Sequence, residues 1–258
     1  MAGYEINDKA ENIWLQVSTK NQNDGETGKP VVMLCGPILN AGTGRKEIEM
    51  TANEYRRLRL HDLQIISADK NTENPDGSSL EILAEASVKL TLLQVKATQS
   101  ILLNLTKDFS RNRETASKGA TFILYNVSRL AVIRKKYFRG VANQVYPALP
   151  PVEDIDFSVL SDPEEWALLF NYLLEYPSLI KRCAEDIIIG RPAVHNICKF
   201  LLNFCSVFSV YYRRNRILLE SKQHLLPIVQ ARLMLAMAIE QVLENGLTLL
   251  SIEKIEEM

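Results

Sequence analysis

Val194 to Tyr212 reads VHNICKFLLNFCSVFSVYY, without a glycine or proline. Val194, Ile197, Cys198, Leu201, Cys205, Phe208 and Tyr212 recur at i, i+3, i+4 spacing, the period of a helix that buries one face. The polar positions between them, Asn196, Lys199, Asn203 and Ser206, fall on the opposite side. A long amphipathic helix with so broad an apolar stripe needs other helices to cover it. The neighbouring sequence supplies them.

Leu225 to Leu250 predicts a helix that is apolar on most sides through LMLAMAI, as the central helix of a bundle is. Upstream, Gly190 and Arg191-Pro192 separate the long helix from one that begins at Pro177. Ser161-Asp162-Pro163-Glu164 has capping-box spacing with Ser161 as the cap, and opens the helix WALLFNYLLEY. Phe122 to Phe138 predicts another helix. The segment between, VYPALPPVEDIDFSVL, is too rich in proline for helix and is read as an acidic connection.

Before about Ser117 the pattern is more mixed. Residues 1–30 are polar and end in NQNDGETGK, read as a flexible loop. Val31 to Cys35 is the one good strand candidate, bounded by Gly36 and Pro37. Thr51 to Glu54 has capping-box spacing and starts a helix to about Ile66. Ser79 starts a helical stretch through about Phe109. The expected fold is mainly α: a helix bundle over 119–258, preceded by a smaller mixed, mostly helical segment over 1–118.

Composition narrows the function classes. The chain has 258 residues, 47% hydrophobic and 24% charged, the balance of an ordinary globular protein. Its net charge is −1, so an anion-binding surface has to come from local clusters. Four cysteines are too few and too scattered for a disulfide framework, and Cys198 and Cys205 suit buried thiols in a reducing compartment. The three histidines (His61, His195 and His224) have no partner at metal-ligand spacing, so no metal or other cofactor is expected. MAGYEINDKAENIW lacks the basic and apolar parts of a signal peptide. The longest apolar run, Leu233 to Ile239, falls far short of the ~20 residues that cross a bilayer. A cytoplasmic protein without membrane contact is expected. GETGKP and GTGRKE lack phosphate-loop spacing, and no GxSxG, HExxH or GxGxxG occurs.

Two places join basic charge to aromatic rings. One is Phe122, Tyr125 and Arg129, followed by Arg134, Lys135, Lys136 and Arg139, with no acidic residue between Thr121 and Gly140. The other is Tyr212, Arg213, Arg214 and Arg216. Unpaired RNA bases stack on aromatic rings while Lys and Arg neutralise phosphates, which is the combination present here. The same residues also suit basic helix ends and core-packing rings. Tyr212 in particular is either the last core residue of its stripe or a stacking platform at the rim.

These residues also carry a resemblance. F122-I-L-Y-N-V-S-R129 resembles the tyrosine-rich helix of the arginyl-tRNA synthetase anticodon-binding domain, commonly Y-L-Q-Y-A-H-A-R. F208-S-V-Y-Y212 resembles its F-N-x-F-Y. A231-R-L-M-L-A and E240-Q-V-L-E-N-G-L-T-L-L-S-I252, with Met258, resemble its closing helix and final methionine. This is the DALR anticodon-binding family, whose domain is an all-α bundle. LCGPI, YRRLR, LYNVSRLA, YPALPPVEDIDFSVL and EWALLFNYLLEYP look like a eukaryotic synthetase-like group within it, of which this chain resembles the carboxyl half.

The resemblance implies a non-catalytic tRNA-binding protein that recognises the anticodon arm of arginine tRNAs. Its partner would be a methyltransferase that makes 3-methylcytidine in the anticodon loop; DNA is not an expected partner. It implies tRNA contacts at Phe122, Tyr125, Arg129, Arg134, Lys135, Lys136, Arg139, Tyr212, Arg213, Arg214, Arg216 and Met258. No catalytic residue is expected, because H-I-G-H-type and K-M-S-K-type signatures for ATP are absent. The family pattern is not kept throughout: Leu124 stands where a glutamine is common, Asn126 for an alanine and Ser209 for an asparagine. Two other readings stay open, an arginine–tRNA ligase or a piece of one, and a helical protein-interaction scaffold without RNA binding.

Overall fold

The computed structural model describes residues 15–18, 31–69, 77–105 and 119–255. Two short parallel strand pairs lie in the amino-terminal part. β1 (Leu15–Ser18) pairs with β2 (Val31–Leu34), and β3 (Ile38–Asn40) pairs with β4 (Ile101–Leu103). β2 lies where the sequence predicts it; β1, β3 and β4 correct the expectation of a single strand. Strands of three or four residues carry too little alternation to stand out, and their pairing is non-local. Gly36 makes the arrangement possible. A Cβ there would sit 2.1 Å from the Gln99 carbonyl oxygen, while the Gly36 amide donates to the Ala97 carbonyl at 2.6 Å.

α1 (Ala52–Asp69) begins with the expected capping box. The Thr51 amide donates to Glu54 Oε2 at 2.7 Å, and the Glu54 amide to Thr51 Oγ1 at 3.3 Å. The helix continues beyond Ile66. α2 (Gly77–Leu93) corrects the expected run to Phe109: the chain leaves the helix at Leu93, turns, and enters β4. Leu83, Ala84, Ala86 and Leu90 of α2 are buried and belong to the same core as the carboxyl helices. One buried cluster therefore runs across position 119.

The carboxyl part is a helix bundle, as expected. It comprises α3 (Ala120–Ala142), α4 (Pro163–Leu168), α5 (Tyr176–Ile188), α6 (Val194–Arg214) and α7 (Leu226–Leu249). The acidic connection between α3 and α4 contains two 3₁₀ turns, Val152–Asp154 and Phe157–Val159. Asp162, not Ser161, caps α4. Its side chain accepts from the Glu164 amide at 2.9 Å, and Glu165 Oε2 accepts from the Asp162 amide at 3.1 Å. Ser161/Glu164 and Asp162/Glu165 have the same spacing, but Pro163 at the first helical position marks Asp162 as the cap. A π-helical turn, Leu169–Leu173, follows α4.

α6 supplies Ile197, Cys198, Leu201, Phe204, Cys205, Phe208 and Tyr211 to the core. Burial pushes the Cys198 thiol up to about 12, so it packs as a small apolar group. Tyr172 stacks on Phe204 at 4.8 Å between ring centroids. α7 passes close by: a Cβ on Gly246 would approach Leu201 Cδ2 to 2.6 Å. By length and composition, the helical stretch containing α7 could cross a membrane. Here, however, Val229, Leu233, Ile239 and Leu243 of α7 are fully buried in the bundle.

Candidate RNA-binding surface

α3 and the end of α6 meet at one cation between two rings. The Arg129 guanidinium carbon lies 4.4 Å from the Tyr125 ring centroid and 4.6 Å from that of Tyr212. Tyr125 and Arg129 are four apart, so one helix face carries both; Tyr212 reaches the same guanidinium from the other helix. Tyr125 is 44% exposed, and Arg129 and Tyr212 are half-buried. The result is a positive charge held between two rings, open to solvent on the Tyr125 side. Such a surface can stack a planar base and attract a phosphate at once.

Beyond it, Tyr125, Arg129, Val132, Lys136 and Arg139 follow one helical stripe, about 21 Å long at 1.5 Å per residue. Lys136 and Arg139 are exposed. Arg134 faces elsewhere. Its Nε and Nη2 hold the buried Glu240 of α7 at 2.8 and 3.1 Å, which uses its charge inside the bundle. Lys135 is half-buried. Phe122 also turns inward and packs against the core.

At the end of α6, the second basic group divides too. Arg213 and Arg216 are exposed, whereas Arg214 forms an ion pair with Glu164. Tyr211, not Tyr212, is the deeply buried ring, at 1% exposure. Tyr212 is half-buried and packs on the edge of the same core, so the stripe drawn through Tyr212 ends there and Tyr211 lies deeper. The Tyr211 hydroxyl donates to Glu165 Oε1 at 2.9 Å, and Arg232 Nε donates to the same oxygen at 2.7 Å. Met258 lies outside the described residues.

The departures from the tyrosine-rich pattern are linked in space. Leu124 is fully buried, so it contributes packing and no contact to a ligand. The Ser209 hydroxyl donates to Asn126 Oδ1 at 2.9 Å, and Asn126 Nδ2 donates to the Phe122 carbonyl at 2.7 Å. Asn126 is fully buried and its bond joins α3 to α6 one turn from both Arg129 and Tyr212. The amide therefore stands on α3, and a small hydroxyl on α6 answers it. Asn126→Ala alone is expected to cost about 1–3 kcal/mol, as for a buried partner left unsatisfied. Asn126→Ala with Ser209→Asn should recover at least half of that in urea unfolding; no recovery would show that the two positions are not coupled.

A family model described as the DALR anticodon binding domain matches residues 123–258. DALR anticodon-binding domain-containing protein 3 of Mus musculus is 34% identical over 231 residues, 85% of this chain and 41% of that protein. Its counterpart in Rattus norvegicus is 33% identical over the same shares. The chain thus spans about two fifths of the length of these curated relatives. Among solved structures, the arginyl-tRNA synthetase of Thermus thermophilus superposes with a TM-score of 0.66 at 19% identity, over 88% of this chain and 35% of the synthetase. That similarity concerns the fold. The family match covers α3 from Ile123 onward together with every later element, including all three residues of the cation–ring cluster, and the chain belongs to the DALR anticodon-binding domain family.

Proposed function

We propose that the chain is a cytoplasmic, non-catalytic tRNA-binding protein that holds the anticodon arm of arginine tRNAs. In this reading it presents that arm to a methyltransferase that makes 3-methylcytidine. The observation that carries it is Arg129 shared by Tyr125 and Tyr212, at the head of a helical stripe without an acidic residue from Thr121 to Gly140. An unpaired anticodon base stacks on the rings, and Arg129, Lys136, Arg139 and Arg213 receive the backbone phosphates. Arg134 and Arg214 have carboxylate partners in the fold and hold the surface in place.

Binding of arginine tRNA should weaken steeply as salt rises, because phosphate contacts release counterions. Lys136→Ala with Arg139→Ala should lower the salt slope by about 2, with tRNA preference kept. An unchanged slope would reduce that part of the stripe to a solvated helix end. The decisive comparison is the wild type with arginine tRNAs and with other tRNAs, followed by 3-methylcytidine formation with and without the chain. Selective binding that raises methylation is expected. Equal affinity for all tRNAs overturns the arginine assignment, and arginine-dependent ATP–pyrophosphate exchange overturns the non-catalytic one.

A further inference from the structure

Between Arg139 and Lys181 the chain contains seven acidic residues and no Lys, Arg or His, directly after a helix of opposite character. Four of the seven have side-chain partners outside this segment. Glu165 pairs with Arg232, Glu164 with Arg214 and Glu175 with Arg182, while Asp162 caps α4 and accepts from Asn215. The other three, Glu153, Asp154 and Asp156, lie exposed on the connection before α4.

The next helical segment carries an apolar stripe that is exposed among the described residues. Trp166, Phe170 and Leu174 follow at steps of four through α4 and the π turn, and are 38%, 57% and 59% exposed. The indole and phenyl rings stack at 5.8 Å with 20° between their planes, so they present one continuous surface. Trp166 Nε1 donates to the Leu160 carbonyl at 3.0 Å, and Leu160 closes the 3₁₀ turn that Asp156 caps. The aromatic stripe and the acidic segment are therefore fastened to each other.

Charge decides the class of occupant. An acidic margin repels phosphate, so these rings do not offer RNA the welcome that the basic stripe on α3 does. Exposed aromatic anchors instead suit a protein interface, and a negative margin selects a positive partner and steers its approach. We propose that Trp166, Phe170 and Leu174, with the acidic segment of Glu153, Asp154 and Asp156 that is tied to Trp166 through Leu160, form a docking face for a protein partner. That partner presents an amphipathic helix with an apolar i, i+3, i+4, i+7 stripe between Lys and Arg flanks. The assignment does not rest on the tRNA reading.

The probe is a labelled synthetic helical peptide with Leu at i, i+3, i+4 and i+7 and Lys/Arg elsewhere, set against the same peptide with Glu for each Lys/Arg. In fluorescence anisotropy the basic peptide binds the full chain and weakens with salt, and the acidic one does not bind. Phe170→Ala with Leu174→Ala lowers affinity for the basic peptide at least tenfold, while far-UV melting and tRNA affinity stay at wild-type values. Glu153→Lys, Asp154→Lys and Asp156→Lys together reverse the peptide preference. The assignment is overturned if the basic peptide fails to bind, if both peptides bind alike, or if either variant leaves affinity unchanged. It also falls if sedimentation shows a wild-type dimer that the Phe170/Leu174 variant dissociates, because a second copy then occupies the face.

Discussion

Arg232→Met is expected to cost about 3–5 kcal/mol of folding stability, the range for stripping one partner from a buried ion pair. The side chain of Glu165 is fully buried beneath Arg232. Besides holding that carboxylate, the guanidinium donates to Asn215 Oδ1 at 3.1 Å and to the Arg216 carbonyl at 3.2 Å. Asn215 in turn donates to Asp162 Oδ2 at 2.8 Å. One arginine thus ties the start of α4, the end of α6 and the body of α7. Burial, and then the neighbouring carboxylate, raise the Tyr211 hydroxyl well above its ordinary value, so it stays a neutral donor to Glu165. Without Arg232, that phenol and the Asp162 amide are the donors left to the buried charge. Glu165→Gln with Arg232→Met removes the charge as well and should be markedly more stable than Arg232→Met alone. Urea unfolding of both variants checks this. Equal losses would assign the effect to packing, and a single-variant loss below about 1 kcal/mol would remove the network from the account of stability.

The helices are legible because their signals are local and repeated. The stripe from Val194 to Phe208, the Thr51 capping box and the breaks at Pro177 and Gly190 each depend on residues within one or two turns. The strands are not legible, because Ile38–Asn40 and Ile101–Leu103 become strands by pairing across about sixty intervening residues. The candidate surface divides the same way. Residue type and spacing bring Tyr125 and Arg129 onto one face, whereas only tertiary packing brings Tyr212 to the same guanidinium. A run of basic residues shows the charge but not its partners. Glu240 lies more than a hundred residues after Arg134, and Glu164 fifty before Arg214, so neither pairing is visible in the sequence. The Asn126–Ser209 bond could have been suspected, since two departures from one pattern exchange a small and an amide side chain. The two consecutive tyrosines are alike in residue type and sit on neighbouring faces of the helix. Spacing admits either Tyr211 or Tyr212 to the core, and the position of Glu165 and Arg232 decides for Tyr211.

That choice makes Tyr212 the sharper probe of function. Tyr212→Ala is expected to weaken arginine tRNA binding tenfold or more, the loss of one base–aromatic stack, and to cost about 1 kcal/mol of stability, since the ring is only half-buried. It packs at the edge of the core, with Phe208 at 5.9 Å and 40° and the Arg129 guanidinium on its face. Deleting the ring removes a wall of the cation cluster while the core beneath stays filled by Phe208 and Tyr211. Tyr212→Phe keeps the π face and should bind nearly as the wild type does. Tyr211→Phe should behave in the opposite way: it leaves the surface intact, takes a donor from the buried Glu165 and lowers stability by about 1–3 kcal/mol. Urea unfolding and tRNA binding measured on the same preparations separate the two roles. A loss of about 3–5 kcal/mol in Tyr212→Ala, the size of a large-to-small core change, with full affinity in the folded fraction would make Tyr212 a core residue. The base platform would then have to be sought at Tyr125 alone, whose outer face is open to solvent.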